Sequence, residues 1–325
     1  MSETNTTTHA QDLPIINAAR LSSGNAWERE ESVSALRRAC EDKGFFYVSD
    51  HGVPQKVIDD ATRVAREFFA LDLDIKMQTS KEASRCNRGY DELKGQTLEP
   101  GAPPDVKEGF FFGVDIPESD PRVQAGVFSL GPNRIPAQPA GFEQGLQRYH
   151  DAMRELCVVL MRGLALSLLL PETHFDKFCA GPMAIVRLLH YPPQPGNPLP
   201  GEKGCGEHTD FGGITVLYQD NVGGLQVWNE PTQSWMDAPP VPGTFVVNLG
   251  DMMGCWTNDR YRSTLHRVIN SSGRERYSIP FFLSGDPDMP LECLPSCHDD
   301  TNPPRYKPTT VARHFEMKFQ QSYGK

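Results

Sequence analysis

Five consecutive residues, Gly206-Glu207-His208-Thr209-Asp210, decide how the rest of this sequence is interpreted. In an extended strand the direction of the side chains repeats every two residues, so His208 and Asp210 are predicted to point to the same face. An imidazole and a carboxylate placed side by side supply part of a metal site. Because His-x-Asp also arises by chance, a further ligand is needed to support this interpretation.

The further ligand is His266, which lies in a second predicted strand at residues 265–270. Two histidines and one carboxylate, with the other coordination positions open, form the facial triad that binds Fe(II) in non-haem oxygenases. The sequence therefore predicts a metal site made of His208, Asp210 and His266.

A candidate anion site follows shortly after His266, in Arg276-Tyr277-Ser278. On a strand, Arg276 and Ser278 face the same side, and together they can bind a carboxylate through the guanidinium and the hydroxyl. An isolated arginine is most often a surface residue. Here residues 279–282 are apolar, so Arg276 is expected to be buried and to need an anionic partner.

Composition limits the classes of protein to which the chain can belong. The 325 residues are 38% hydrophobic and 23% charged, which is typical of a globular protein with one large or two medium domains. A net charge of −10 argues against a nucleic-acid partner. The N-terminus lacks the apolar core of a signal peptide, and the apolar run at residues 156–170 is too short to cross a bilayer. We therefore expect a cytoplasmic protein without a membrane partner.

The eight cysteines are expected to be reduced thiols rather than a disulfide framework. Cys293, Cys297 and His298 lack a second ligand pair at a usable spacing, so we interpret them as loop residues rather than a zinc site.

The pattern of apolar residues divides the chain into three parts within one body. Residues 1–12 are predicted to be a disordered tail. Residues 13–180 are predicted to be a helical N-terminal region, with helices at 28–43, after residue 54 and at 142–170, and strands at 13–16 and 44–48. Residues 181–325 contain short strands separated by Gly and Pro, typical of a barrel or sandwich, and a final helix at 310–323. His51, in a turn, is expected to form a local hydrogen bond.

Residues 80–140 are rich in Gly and Pro, and a long irregular segment in a compact protein often binds substrate. Each polar candidate in this segment could equally be a solvated loop residue, and each aromatic candidate could equally be a core residue rather than a substrate contact. The possible substrate contacts are Arg85, Arg88, Tyr90, Phe110, Phe111 and Phe282, with Ile214, Leu217 and Leu283 as further apolar candidates. Asn248 either orients a metal ligand or oxygen from outside the coordination shell or stabilises a turn.

Five segments occur in a specific combination: GEHTDFG (206–212), NLGD (248–251), WTN (256–258), STLHRV (263–268) and RYS (276–278). With these segments the chain resembles the isopenicillin N synthase-like branch of the Fe(II)/2-oxoglutarate-dependent dioxygenases, from about residue 13 to 314. The resemblance implies an α+β fold with a mainly β core. That core, residues 181–325, is expected to be a double-stranded β-helix (jelly roll) with a helical N-terminal layer and a C-terminal helix.

The same resemblance implies Fe(II) on His208, Asp210 and His266, 2-oxoglutarate on Arg276 and Ser278, and O₂ as oxidant. Tyr191 matches a tyrosine that adds a hydrogen bond to the cosubstrate. The sequence departs from the plant pattern Asn-Tyr-Tyr-Pro, because Leu189-His190-Tyr191-Pro192 stands in its place. This departure favours bacterial or fungal relatives, and it leaves open whether His190 faces the core or the pocket.

The activity implied is oxidation of a small organic molecule in specialised metabolism, with release of succinate and CO₂. Hydroxylation is the simplest outcome, and desaturation or cyclisation are variants. One alternative is an Fe(II) oxidase of the isopenicillin N synthase type, which uses no 2-oxoglutarate and whose Arg-x-Ser pair binds the substrate. Another is a small-molecule binding protein on the same barrel, against which the intact triad argues. The sequence leaves the oligomeric state open, and a monomer is compatible with it.

Overall fold

Two sheets that face each other form the centre of the computed structural model, which describes residues 13–99, 101–194 and 200–323. Within these residues the larger sheet has the strand order β1-β2-β10-β7-β12-β5-β4-β3, the smaller sheet is β6-β11-β8-β9, and β13 pairs with β14. All pairs are antiparallel except β1 with β2. The strands are β1 Ile15–Asn17, β2 Phe45–Ser49, β3 Gly89–Asp91, β4 Glu108–Gly113, β5 Met183–Tyr191, β6 Cys205–His208, β7 Ile214–Gln219, β8 Leu225–Asn229, β9 Ser234–Asp237, β10 Phe245–Leu249, β11 His266–Val268, β12 Arg276–Gly285, β13 Pro290–Leu291 and β14 Thr309–Thr310.

Helices cover the outer face of the larger sheet. The helices are α1 Ala18–Leu21, α2 Ala26–Asp42, α3 Gln55–Phe69, α4 Leu73–Met77, α5 Pro121–Gln124, α6 Phe142–Ser167, α7 Asp176–Ala180, α8 Asp251–Thr257 and α9 Val311–Tyr323. The long helix α6 packs on α2 and α3 and against β5, β7 and β12. Helix α3 buries Ile58, Val64 and Phe68, which recur at helical spacing and form its apolar face.

Period-two alternation along β5 and β12 separates the core from the cavity between the sheets. On β12, Ile279 and Phe281 are fully buried in the main core, whereas Arg276 and Ser278 face the cavity. On β5, Val186 belongs to the same core and its neighbours in sequence line the cavity. This alternation decides which side chains of each central strand can reach a ligand. The facing sheets form the double-stranded β-helix predicted from the sequence.

The strands predicted at 13–16 and 44–48 are present as β1 and β2, and both join the larger sheet. The structure differs from the predictions in two places. Strands β3 and β4 lie in the segment predicted to be a loop; β3 pairs with β4, and β4 pairs with β5, which is distant in sequence. Helix α8 and strand β9 were not predicted. The tail predicted at residues 1–12 lies outside the described residues.

Several smaller predictions can be compared directly with the structure. The Val53 N–H donates to His51 Nδ1 at 3.1 Å, so the predicted local hydrogen bond in this turn is confirmed. All eight cysteines are free thiols, as predicted. In the described ranges, no helix combines the length and apolarity that crossing a membrane requires.

Candidate metal centre

The two histidines of the predicted triad lie opposite each other on neighbouring strands. His208 ends β6 and pairs directly with His266, which begins β11. The ring centroids are 4.2 Å apart. Asp210 completes the group, with its Oδ1 3.9 Å from His208 Nε2 and 3.8 Å from His266 Nε2. In the ranges that the structure describes, this is the single group of three or more His, Cys, Asp or Glu side chains close enough to hold a metal ion.

Asp210 lies two residues beyond the end of β6, so the prediction that one strand carries both His208 and Asp210 is wrong. The chain leaves the smaller sheet at Thr209 and turns toward α8, where the Asp251 N–H donates to the Asp210 carbonyl at 2.8 Å. The direction of the carboxylate is therefore set by its own hydrogen bonds rather than by the pleat of a strand.

Hydrogen bonds orient all three side chains toward one point. The Nδ1 atoms face backbone carbonyls, that of Gly206 at 2.8 Å from His208 and that of Thr264 at 3.2 Å from His266. With Nδ1 protonated and donating to these carbonyls, each Nε2 carries the free lone pair that a metal needs.

The Asp210 carboxylate is fixed on its outer oxygen. Its Oδ2 accepts from Thr215 Oγ1 at 2.5 Å and from Asn248 Nδ2 at 2.7 Å, which leaves Oδ1 facing the histidines. Asn248 thus donates a hydrogen bond to Asp210, a candidate metal ligand, as one of the two interpretations of Asn248 predicted. Thr215 was not predicted, because one threonine in an apolar strand carries no distinguishing signal.

The electrostatic environment favours the ligand form of each side chain. Burial, followed by the proximity of His208, lowers the pKa of His266 to about 4. Burial also lowers the pKa of His208. Burial alone would raise the pKa of Asp210, but the two histidines and the hydrogen bonds from Asn248 and Thr215 lower it. Neutral imidazoles and an ionised carboxylate are the forms that bind a divalent metal.

Arg276 and Ser278 form a second polar group in the same cavity. Arg276 is fully buried and donates to Gly223 O at 2.6 Å, Ser278 Oγ at 3.1 Å and Gln219 Oε1 at 3.3 Å. Its Cζ lies 4.7 Å from the centroid of the Tyr191 ring, on the neighbouring strand. Among the described residues no carboxylate lies within ion-pair distance of Arg276. A buried guanidinium without an anion is suited to an anionic ligand.

A cavity of about 740 Å³ joins the triad to Arg276, Ser278 and Tyr191. This volume is within the range of small-molecule sites, about 300–1,000 Å³. Its wall also includes Phe111 and Phe282.

The other predicted contacts are divided between the wall and the core. Leu217 and Arg88 line the cavity, although Arg88 donates to the carbonyls of Cys86 (2.9 Å) and Ser129 (2.8 Å). Ile214 and Leu283 instead belong to the main core behind the sheet, because they lie on its opposite face.

Three of the predicted substrate contacts are not in the wall. Arg85 is exposed to solvent. Tyr90 is buried and donates to Glu108 Oε2 at 2.5 Å. Phe110 packs edge-on against aromatic rings of α3 and α6, because alternation along β4 turns it away from the cavity that Phe111 faces.

His190 also faces away from the cavity. Its ring stacks on Tyr277 with centroids 4.7 Å apart, and its Nδ1 lies 2.7 Å from Glu108 Oε1. The sequence left the direction of His190 open, and in the structure it faces the helices. It is adjacent to Tyr191 on β5, and adjacent residues of a strand point to opposite faces.

Sequence reasoning missed several residues of the wall. Phe315 and Phe319 on α9 line the cavity, and no local pattern reveals such a long-range contact. Arg187 lines it from the middle of β5. A signal for Arg187 did exist, because a charged residue within the apolar run Ala184–Leu189 needs a polar partner.

Two histidines and one carboxylate on a double-stranded β-helix, beside a buried arginine, are typical of non-haem iron oxygenases. Comparisons with known proteins agree with this class. Residues 182–285 match the 2OG-Fe(II) oxygenase superfamily, and residues 13–138 match the N-terminal region described as non-haem dioxygenase in morphine synthesis.

Known relatives cover nearly the whole chain. The 2-oxoglutarate-Fe(II) type oxidoreductase hxnY of Emericella nidulans is 42% identical over 316 residues, covering 96% of this chain and 90% of that protein. A crystal structure of Neurospora crassa T7H with alpha-KG (2-oxoglutarate) has a TM-score of 0.85 at 27% identity, covering 96% of each chain. A second T7H structure, with alpha-KG and thymine, has a TM-score of 0.83 at 28% identity, covering 96% of this chain and 97% of that one.

The chain belongs to the 2OG-Fe(II) oxygenase superfamily. It is a dioxygenase that uses Fe(II), 2-oxoglutarate and O₂ to oxidise a small molecule, as the sequence predicted.

Proposed function

We propose that His208, Asp210 and His266 bind the Fe(II) ion of this dioxygenase. The observation that carries the assignment is the convergence of two Nε2 atoms and one carboxylate oxygen, all within 4.8 Å of one another. The donor set suits the metal, because imidazole and carboxylate are common ligands of non-haem Fe(II). Asn248 and Thr215 hold the carboxylate so that only one oxygen is directed to the metal.

Arg276, Ser278 and Tyr191 bind 2-oxoglutarate in this proposal. The guanidinium pairs with the carboxylate remote from the metal, and the Ser278 hydroxyl adds a hydrogen bond. Tyr191 already contacts the Ser278 hydroxyl and lies under the guanidinium, so it keeps both groups in place. When bound, Fe(II) would let O₂ oxidise both 2-oxoglutarate, which becomes succinate and CO₂, and the substrate, each giving two electrons. The protein orients the reactants and excludes water.

The substrate is a small organic molecule of specialised metabolism that occupies the part of the cavity lined by Phe111 and Phe282. Hydroxylation is the expected outcome, with desaturation or cyclisation as variants of the same chemistry. We further propose that the enzyme acts in the cytoplasm and binds no nucleic acid, which is compatible with its free thiols and net charge of −10. We also propose that residues 13–180 and 181–325 are two regions of one body. The larger sheet contains strands of both regions, which supports a single body.

Measuring succinate against O₂ tests this assignment. The Fe(II) protein, given 2-oxoglutarate without substrate, is expected to consume O₂ slowly and to form one succinate for each O₂. Consumption of O₂ without succinate would favour the oxidase alternative, in which Arg276 binds a substrate carboxylate. Neither O₂ consumption nor succinate, in a protein that binds Fe(II), would favour a binding protein.

A further inference from the structure

The cavity wall formed by residues 81–98, β4 and β5 carries more positive than negative charge. Arg187 Nη2 and Lys81 Nζ each lie 2.8 Å from a different oxygen of the same carboxylate, Asp91. Arg88 lines this wall too and, among the described residues, has no carboxylate within ion-pair distance. Glu82 also lines the cavity but is exposed to solvent. We call Lys81, Arg88 and Arg187 the basic wall.

Lys107 does not add to this surplus charge. It lines the cavity beside Arg187, but its Nζ forms a buried ion pair with Asp105 and contacts Cys205 Sγ at 3.4 Å. One cation and one carboxylate balance there, so the charge available for a ligand belongs to the basic wall.

Arg187 is the member of the basic wall that is held ready for a ligand. About nine-tenths of it is buried, and Nη2 donates to Asp91 Oδ2 at 2.8 Å and to Gln96 Oε1 at 2.9 Å. Its Cζ lies 4.4 Å from the centroid of Phe111. Its Nε is buried and has no hydrogen-bond partner. Since leaving a buried donor unpaired is unfavourable, a ligand oxygen is the natural partner for this nitrogen.

A glycine lets strand β4 pack closely against this nitrogen. Gly109 on β4 faces Arg187, and a Cβ atom at this position would lie 3.3 Å from Arg187 Nε. A side chain at this position would press on Arg187 and on Leu188 O, also 3.3 Å away, so the glycine allows the guanidinium to keep its place. Phe111, two residues further along β4, supplies the flat surface on which the guanidinium lies.

We propose that Arg187 binds a carboxylate of the substrate, which makes the substrate a small organic acid with an aromatic or apolar body. This inference rests on the proposed function, because it assigns 2-oxoglutarate to Arg276 and the substrate to the basic wall. The positive charge of Arg187 and its N–H group at Nε suit a carboxylate oxygen, and the surplus positive charge favours an anion over a neutral amide. Phe111, Phe282 and Phe315 provide apolar surface for the body of the molecule.

The test compares acids with their uncharged amides on the intact protein. The Fe(II) protein saturated with 2-oxoglutarate is titrated without oxygen with benzoate or benzamide, and with phenylacetate or phenylacetamide. The readout is a shift of the absorption band of iron-chelated 2-oxoglutarate, which reports a ligand next to the metal. We expect millimolar binding of the acids, at least about tenfold tighter than that of the amides.

Variants assign the preference to Arg187. In Arg187→Gln the preference for acid over amide is expected to disappear, and Arg187→Lys is expected to keep part of it, because the charge is retained without the fixed N–H directions of the guanidinium. Binding of the amide reports whether the pocket is still intact in each variant. Arg85→Gln is the matched control, since it removes the same charge from an exposed residue of the neighbouring loop, and it should keep the wild-type preference.

The outcomes separate this inference from the proposed function. Absence of the 2-oxoglutarate band in the wild-type protein would contradict the proposed function itself. A normal band that no acid shifts, or that acids and amides shift equally, would overturn the role of Arg187 alone. Loss of the band on adding acid would show that the acid displaces 2-oxoglutarate, which also overturns it. An unchanged preference in Arg187→Gln would do the same.

Discussion

At the metal centre the polar side chains come from both sheets and from the turn after β6, and they hold one another in place. The basic wall combines a loop with strand residues and leaves nitrogen atoms unpaired. Asp210 Oδ2 accepts two side-chain hydrogen bonds, and both histidines use Nδ1 to fix their rings. In the basic wall, by contrast, Nε of Arg88 and of Arg187 lacks a partner. The difference indicates that the metal centre is organised before ligands arrive and that the basic wall is completed by its ligand.

The metal centre and the wall near Phe111 also differ in the apolar residues around them: strand residues surround the first, and a helix and a connecting segment close the second. The metal centre lies against strand residues such as Phe45, whose ring is edge-on to His266 at 5.3 Å. The wall near Phe111 and Phe282 is closed by Phe315 and Phe319 from the C-terminal helix and by Phe128 from a connecting segment. Chain segments outside the central sheets vary more readily than central strands, so this region is suited to setting which molecule is oxidised.

The largest effect is expected from removing a metal ligand. His266→Ala should weaken Fe(II) binding more than the roughly 10–100-fold typical of residues that only support ligands, and should abolish turnover. Equilibrium binding of Fe(II) without oxygen measures this. His298→Ala, at a histidine remote from the cluster in sequence, is the control. Wild-type iron affinity in His266→Ala would show that the rigid centre does not depend on this residue.

Removing the guanidinium of Arg276 should have the next largest effect. Losing one partner of a buried charged hydrogen bond typically costs about 2–5 kcal/mol, so Arg276→Ala should weaken 2-oxoglutarate about tenfold to a thousandfold. Arg276→Lys keeps the charge without the fork and should fall between wild type and alanine. Ser278→Ala removes one hydroxyl and should cost about 1–3 kcal/mol. Calorimetry of 2-oxoglutarate binding to the metal-loaded protein distinguishes these values.

A substitution of Asn248 tests whether the hydrogen bonds to Asp210 contribute to Fe(II) affinity. Asn248→Ala removes a hydrogen bond of 2.7 Å to the carboxylate and should weaken Fe(II) about 10–100-fold. Iron affinity is measured as for His266, and thermal unfolding of the metal-free protein is the control for a general loss of stability. If only the unfolding temperature changes, Asn248 stabilises the turn, which is the structural alternative.

Substitutions in the wall near Phe111 and Phe282 are expected to change the affinity for 2-oxoglutarate least. Phe111→Ala and Phe282→Ala should alter which small acids or amides shift the 2-oxoglutarate band, with a much smaller change in 2-oxoglutarate affinity. Phe110→Ala is the comparison, because that ring is fully buried on the opposite face of the same strand. It should lower stability by about 3–5 kcal/mol without changing substrate preference. Equal losses of substrate and 2-oxoglutarate binding in Phe111→Ala would remove the distinction between the two regions.

The same contrast explains how far the sequence could be interpreted. That His208, Asp210 and His266 come together could be predicted, because a metal site needs particular side chains and these stand in short motifs such as GEHTDFG and STLHRV. The position of Asp210 beyond the strand could not be predicted, since its direction depends on distant Asn248.

At the substrate wall, composition gave candidates but not their orientation. Phe110 and Phe111 are equivalent in sequence, and only the pairing of β4 with β5 turns one toward the cavity and the other toward the helices. Arg187 carried a signal as a charge within an apolar strand, but its meaning depends on Asp91 and Gln96, which are far away in the chain.

In our proposal 2-oxoglutarate binds to the iron, Arg276 and Ser278, which leaves the basic wall for the substrate. Anaerobic titration of the wild-type Fe(II) protein with 2-oxoglutarate tests it most directly, through the charge-transfer absorption that appears when a keto acid chelates the metal. We predict that the band appears and saturates at one 2-oxoglutarate per Fe(II). If no band forms, and the protein consumes O₂ without producing succinate, then Arg276 binds a substrate carboxylate and not 2-oxoglutarate.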